Sequence, residues 1–301
     1  MQNFEFDIKK LQDGDIKMLA RALSLVENGS KESGEILKAL SFEKNTPIIG
    51  ITGPPGAGKS SLVNALIGLI LAHNKKIAVL AIDPSSPFNF GSLLGDRIRM
   101  AVHFNNPNVF IRSVSNRGNL GGMSSKIFEM ADVLKNANFD YIFIETVGVG
   151  QSEVDIAGLA DTTVVVLVPE AGDEVQTLKS GLMEIANIFV VNKSDREGAD
   201  IFVKNLHALV HQKPSADWQI PVIKTVASAD KGLTELWQQI ENHAKSDRNN
   251  DYKINLSTEK AFQYIVQKRM KNISRASLFE TLKKESNKKG FNLYEYLDKN
   301  Y

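Results

Sequence analysis

One junction constrains this chain more than any other. The apolar run PIIGIT, Pro47–Thr52, passes into GPPGAGKSS, Gly53–Ser61, and then into LVNALIGLILA, Leu62–Ala72. A short β-branched run of this kind suits a strand buried in a parallel sheet. The apolar stretch after it suits a helix. Between them, Gly53, Gly58, Lys59 and Ser60 have the spacing G-x-x-x-x-G-K-[ST]. These residue types are the ones phosphate chemistry requires. Glycines let backbone N–H groups converge on phosphate oxygens. The start of a helix adds partial positive charge. Lys59 is placed to reach β- and γ-phosphates, and the Ser60 hydroxyl to ligate Mg²⁺. The whole loop (Gly53, Pro54, Pro55, Gly56, Ala57, Gly58, Lys59, Ser60 and Ser61) is the expected phosphate contact.

Downstream the pattern alternates. KIAVLAID, VFIRSV, YIFIETVG, TTVVVLVP, IFVV and PVIKTVAS read as strands. Helical stretches lie at SSKIFEMADVLKNA, TLKSGLMEIA, IFVKNLHALVHQ and LTELWQQIENHAKSD. The order predicts an α/β fold of the P-loop NTPase kind, with a doubly wound, mostly parallel sheet. Ahead of it, residues 7–40 read as two amphipathic helices parted at Asn28–Ser30, with Ile16, Leu19, Leu23 and Val26 on the first and Ile36, Leu37 and Leu40 on the second. Behind it, SDRNNDYKINLS, Ser246–Ser257, is polar enough for a linker or frayed turn. Residues 257–301 are helical and rich in both lysine and acids, which fits a solvated appendage packing on itself or on a twin subunit better than a nucleic-acid surface. The expected organisation is an N-terminal helical extension over 1–45, the nucleotide domain over 46–246 and a C-terminal helical extension over 247–301.

The base is addressed by NKSD, Asn192–Asp195, at the end of a later strand. A carboxylate at Asp195 can accept hydrogen bonds from guanine N1–H and the 2-amino group, donors that adenine lacks. Lys193 can lay its stem over the base, and Asn192 can tie the loops together. The next strand ends TVAS, Thr225–Ser228, where backbone amides of Val226, Ala227 and Ser228 are expected near the guanine oxygen.

Metal and water chemistry point to two further segments. Asp83 ends the second strand and Asp96 follows a long polar loop, and either can hold Mg²⁺ directly or through water. Glu145 ends the strand YIFIE, and Gly148 stands three residues on, where its amide can sense a γ-phosphate. Ser60, Asp83, Asp96 and Glu145 are thus the metal candidates, and Lys59, Glu145 and Asp96 those expected to act in hydrolysis. Gln151 and Glu153 are further polar candidates. Lys179 is the charged member of VPEAGDEVQTLKSG, read as a switch segment or a surface loop. Arg112 and Arg117 flank a glycine-rich turn, with Gly118, Gly121 and Gly122 beyond, and either arginine is read as a cis arginine or a structural pair.

Composition narrows the field. The 301 residues carry a net charge of +1, which gives no electrostatic support for nucleic-acid or anionic-membrane binding. No cysteine is present, which excludes disulfides, thiolate metal sites and a cysteine nucleophile, and fits a cytoplasmic setting. The five histidines show no metal-ligand spacing, and Trp218 and Trp237 read as core or interface. No apolar run is long enough to span a bilayer.

Together GPPGAGKSS, AIDPSSP with GSLLGDRIRM, NRGNLGG, IETVGVGQSEVD, GDEVQTLKSGLMEIA and VVNKSDREGAD closely resemble the MeaB/ArgK-type P-loop GTPases, over about residues 12–245. The resemblance implies a homodimeric, Mg²⁺-dependent GTPase that binds GTP and GDP and has helical extensions at both ends. It implies a chaperone role, with hydrolysis gating cofactor loading and protection of an adenosylcobalamin-dependent acyl-CoA mutase such as methylmalonyl-CoA mutase. By matching motif it assigns Lys59, Ser60, Asp83, Asp96 and Glu145 to phosphate, magnesium and switch roles, Asp195 to the guanine, and Lys179 to an additional switch. The loop after DPSSP departs from the family pattern at Phe88–Gly91, and the tail beyond residue 250 lies outside the resemblance. Two other readings stay open: a metal-insertion GTPase, disfavoured by the missing Cys and His clusters, and a transport-associated kinase, disfavoured by the guanine-type NKSD.

Overall fold

The computed structural model describes residues 6–41, 43, 45–83, 100–115, 125–146, 148, 152–170, 181–210, 218–246, 250–270, 273–288 and 290–301. Three helices come first: α1 (Ile8–Gln12), α2 (Ile16–Glu27) and α3 (Ser33–Ala39). Asp15 caps α2, its carboxylate accepting from the amides of Lys17 at 2.8 Å and Met18 at 2.9 Å. The stripe Leu19, Ala22, Leu23 and Val26 is fully buried at the i, i+3, i+4, i+7 spacing expected of one helix face. Each such Leu or Val contributes about 1.5–3 kcal/mol by leaving water.

The alternating part follows as β1 (Ile48–Thr52), α4 (Lys59–Ala72), β2 (Ile77–Asp83), β3 (Val109–Ser115), α5 (Ser125–Lys135), β4 (Tyr141–Glu145), the single turn α6 (Ser152–Asp155), β5 (Thr162–Leu167), α7 (Leu182–Ile185), β6 (Ile188–Val191), α8 (Ala199–Val210), β7 (Val222–Lys224) and α9 (Leu233–Lys245). The strands form one sheet in the order β3-β2-β4-β1-β5-β6-β7, every pairing parallel. The doubly wound parallel sheet expected from the sequence is thus present. β1 lies between β4 and β5, and the register Ile51↔Glu145 brings the ends of β1 and β4 level. A sheet of this kind binds ligands at the carboxyl ends of its strands.

Alternate residues of each strand serve opposite faces. Ile48, Ala78, Leu80, Ile142 and Ile144 pack with α2 and α5. Ile49, Ile51, Val79, Phe143 and Val164 pack with α4 and α9. The helices α7 and α8 cover the β5–β6–β7 end. Gly50 interrupts β1 for a spatial reason, since a Cβ there would lie 2.6 Å from Ile156 Cγ1 and 2.9 Å from Ala160 Cβ. Of the predicted helix TLKSGLMEIA, only Leu182–Ile185 is helical among the described residues.

Contacts divide the chain into two compact units, residues 1–253 and 254–301. The linker expectation for Ser246–Ser257 is corrected from Asn250 onward: α10 (Asn250–Met270) is a 21-residue helix. Asn and Asp are favourable at a helix start, where they satisfy or neutralise orphan amides, so polar composition there marks the beginning of an exposed helix. α11 (Arg275–Glu285) and α12 (Leu293–Asn300) complete the second unit. Its side chains Phe262, Ile265, Met270 and Phe279 are at least half exposed. No described helix is long and apolar enough to cross a membrane.

Candidate functional site

The loop between β1 and α4 takes the shape its glycines permit. Gly53, Gly56 and Gly58 have φ of 133°, 79° and 86°. At Gly53 a Cβ would collide with the carbonyl oxygen of Val166 on β5, and at Gly58 with the side-chain amide of Asn192. At these two positions the loop lies too close to its neighbours to admit a side chain. Lys59 opens α4 almost wholly buried, and its ammonium donates to the carbonyls of Gly53 at 2.7 Å and Pro54 at 3.0 Å. The first amides of α4 have no intrahelical acceptor, so the loop presents donors and the positive end of a helix at one place. A phosphate chain is the ligand that such a cradle fits.

The end of β4 supplies the second part. The buried Ser60 hydroxyl donates to Glu145 Oε1 at 2.6 Å. A hydroxyl and a carboxylate in contact beside a phosphate cradle form a donor set that suits Mg²⁺, a cation of oxygen ligands. Gly148, with φ 86°, packs its α-carbon against the Gly53 carbonyl and the Lys59 ammonium, where a Cβ would strike both. The Glu145-x-x-Gly148 spacing thus brings this backbone to the lysine of the loop.

The third part comes from β6 and β7. Asn192, 2% exposed, joins three segments. Its Nδ2 donates to Ala57 O at 3.0 Å, and its Oδ1 accepts from Thr225 Oγ1 and from the Ala227 amide, both at 3.1 Å. Lys193 adopts a left-handed backbone, φ 54°, which costs about 1–2 kcal/mol outside glycine. That turn aims its ammonium at Gly56 O, 2.7 Å away, and lays its stem along the loop. Both the amide and hydroxyl of Ser194 donate to Thr225 O at 3.0 Å. The next residue, Asp195, is exposed. The Val226 amide donates to Lys231 O and the Ala227 amide to Asn192, so these two of the amides expected near the guanine oxygen are engaged within the protein. Arg196 pairs with Glu170, just after β5, and its hydrogen bond is the main reason that the Glu170 carboxyl is held below its usual pKa.

Some expected residues lie elsewhere. Arg112 is committed to α2: its guanidinium donates to Ser24 Oγ at 3.2 Å, to Ala20 O at 3.3 Å and to Glu27 Oε2 at 2.5 Å. It is a structural pair and not a cis arginine. His243 is buried against Thr162 at 2.9 Å and edge-on to Trp218, while Trp237 packs edge-on to Tyr141. Among the described residues no three His, Cys, Asp or Glu cluster for a metal. Asp83 closes β2 beside Ser115 of β3, at the carboxyl edge of the sheet. Asp96, Arg117, Gly118, Gly121, Gly122, Gln151, Lys179 and the side chains of Asp83 and Glu153 fall outside the described residues. Residue-level reading missed Thr225, the Arg196–Glu170 pair and a buried hydroxyl contact between Thr52 and Thr146, all of which depend on strand neighbours.

Comparison with known proteins identifies the family. Residues 19–282 match the family model described as methylmalonyl-CoA mutase-associated GTPase MeaB, so the similarity extends into the helical tail. A Pyrococcus horikoshii protein named as a candidate GTPase is 48% identical over 250 residues, covering 81% of this chain and 79% of its own length. The GTPase ArgK of Escherichia coli is 36% identical over 245 residues, covering 77% and 73%. Among solved structures, one described as a LAO/AO transport system kinase superposes with a TM-score of 0.64 at 27% identity, covering 93% of this chain and 85% of that one.

Proposed function

Because the chain belongs to the MeaB family of P-loop GTPases, we propose that its GTP cycle serves as a timing device for an adenosylcobalamin-dependent acyl-CoA mutase, methylmalonyl-CoA mutase being the first candidate. The observation that carries this reading is the convergence at Lys59. Its ammonium bonds the phosphate loop, and Gly148, the residue placed to sense a γ-phosphate, packs against that same ammonium. A γ-phosphate at this point would hold the Glu145–Gly148 segment, and its loss would release it.

The roles follow from position. The loop Gly53–Gly58 and the start of α4 bind the phosphates. Lys59 exchanges its carbonyl partners for β- and γ-phosphate oxygens. Ser60 and Glu145 would hold Mg²⁺, which when bound would neutralise developing phosphate charge. Asp83 and Asp96 remain candidates for the same metal. Asp195 accepts from guanine, Lys193 covers the base, and Asn192 fixes the loops that carry both. The helical tail serves self-association as a homodimer, and its half-exposed Phe262, Ile265 and Phe279 supply apolar surface for that. A second reading, phosphoryl transfer to a transport protein, rests on the likeness to one solved structure described as a transport system kinase.

The test is GTP hydrolysis with and without an adenosylcobalamin-dependent acyl-CoA mutase, together with the mutase's rate of inactivation in turnover. Hydrolysis faster with the mutase, and a longer-lived mutase that loses this protection with Lys59→Ala, support the reading. Hydrolysis indifferent to the mutase rejects the partner. Labelled γ-phosphate appearing on a protein favours the kinase instead.

A further inference from the structure

We propose that the hydroxyls of Thr52 and Thr146 form a positioning couple that keeps the γ-phosphate-sensing segment in register with the phosphate loop. The couple would set both the preference for GTP over GDP and the rate of hydrolysis. The proposal rests on GTP turnover at this site and is independent of the partner.

Thr52 is the last residue of β1, and Thr146 directly follows β4. These strands are parallel neighbours paired Ile51↔Glu145, so the two threonines stand level where the chains part. One chain continues into the phosphate loop and the other into the Glu145–Gly148 segment. The Thr146 amide donates to Ile51 O at 3.0 Å, and its hydroxyl donates to Thr52 Oγ1, also at 3.0 Å. Both residues are at most 1% exposed. A hydroxyl bond is directional, and its loss in a dry interior is costly, so the pair fixes the relative rotation of the two departing chains.

Of the other buried positions of β1 and β4 nearby, Ile49, Ile51, Ile142, Phe143 and Ile144 are apolar, and Glu145 is charged. Valine has nearly the same shape and strand preference as threonine, and differs by the hydroxyl. What the hydroxyls do touch is the root of the site. Thr52 precedes Gly53, whose carbonyl holds the Lys59 ammonium at 2.7 Å. Thr146 follows Glu145, which holds Ser60 at 2.6 Å, and stands two residues before Gly148, which packs on Lys59. The metal-ligand pair and the sensing backbone lie within two residues of this bond, which adds a side-chain tie to the backbone bond from the Thr146 amide to Ile51 O. GDP uses the loop and the base site alone, so it should be insensitive to the couple.

The experiment compares the full chain with Thr146→Val, Thr146→Ser, Thr52→Val and the double valine variant, measuring GTP and GDP affinity, kcat, KM and melting temperature. Thr146→Val should lower kcat about fivefold and narrow the GTP/GDP affinity ratio about fivefold, the effect of one buried hydrogen bond. Its GDP affinity should stay within about twofold of wild type. Thr146→Ser should restore both quantities, and the double valine variant should be no worse than the poorer single one, because both remove the same bond. GTP and GDP affinities falling together, or a serine variant as impaired as the valine, would overturn the proposal. So would a Thr146→Val protein indistinguishable from a wild type that hydrolyses GTP. A wild type with no GTP hydrolysis would overturn the reading of the site as well.

Discussion

Asn192→Ala should be among the most damaging single changes in this chain, and its cost can be worked from contacts. The side chain makes three hydrogen bonds, to Ala57 O at 3.0 Å and from Thr225 Oγ1 and the Ala227 amide at 3.1 Å. Each contributes about 1 kcal/mol net, and a buried backbone group left without a partner adds about 1–3 kcal/mol. Ala57 is fully buried and Ala227 is 8% exposed, so both backbone groups fall in that class. A loss of at least about 5 kcal/mol is expected. At about 2–4 °C per kcal/mol for a unit of this size, the melting temperature should fall by at least roughly 10 °C. Below melting, GTP affinity should fall at least about tenfold, because the phosphate loop and the base loop are no longer tied. Asn192→Asp keeps the acceptor but places a carboxylate oxygen against the Ala57 carbonyl, so it should not rescue. Thermal unfolding monitored by circular dichroism, with nucleotide titration at about 20 °C, below the expected melting range, reads both effects. An alanine variant melting within about 2 °C of wild type, with unchanged affinity, would refute the reasoning.

Arg112→Ala should destabilise by about 2 kcal/mol, since a charge-assisted hydrogen bond to Glu27 is lost from a site where the two side chains are 19% and 13% exposed. Hydrolysis per folded molecule should stay within about twofold, and a collapse of kcat in a stable variant would return Arg112 to the active site. Tyr141 gives a pH signature. Burial first, and then its hydrogen bond to Glu241, raise the phenol from 10.0 to about 12. A folded-state pKa above the unfolded value gives stabilisation that is complete below pH 10 and lost as pH climbs through about 12. Denaturant midpoints should therefore fall over that window more steeply in wild type than in Tyr141→Phe, and parallel curves would contradict the assignment.

The sequence makes the strands and the three parts of the site readable because each has a local chemical signature. Short β-branched apolar runs bounded by turn residues suit buried strands, and Gly-x-x-x-x-Gly-Lys-Ser needs no tertiary information. The role of Asn192 as a tie was also readable, since its motif carries it. What could not be read is pairing across the sheet. The sequence leaves Arg112 open between a cis arginine and a structural pair until β3 is placed beside α2, where Glu27 and Ser24 hold it. Thr52 and Thr146 are ordinary strand residues until β1 and β4 become neighbours, which no spacing between positions 94 residues apart reveals. Polar composition at Ser246–Ser257 suggests a linker or a frayed turn, because an exposed helix shares those residues and differs from them in backbone order; from Asn250 onward the chain is helical.

Nucleotide choice, with Asp195 as the variable, puts the whole site to the test. Mg-GTP and Mg-ATP would be titrated and hydrolysed with wild type and Asp195→Asn, with Lys59→Ala as the phosphate control. The strand-end site predicts wild-type affinity for GTP exceeding that for ATP by at least about a hundredfold and hydrolysis of GTP alone. Asp195→Asn should lose that preference while retaining its melting temperature, because Asp195 is exposed. ATP bound and hydrolysed as well as GTP, or a preference untouched by Asp195→Asn, would contradict the site described at the ends of β1, β4 and β6.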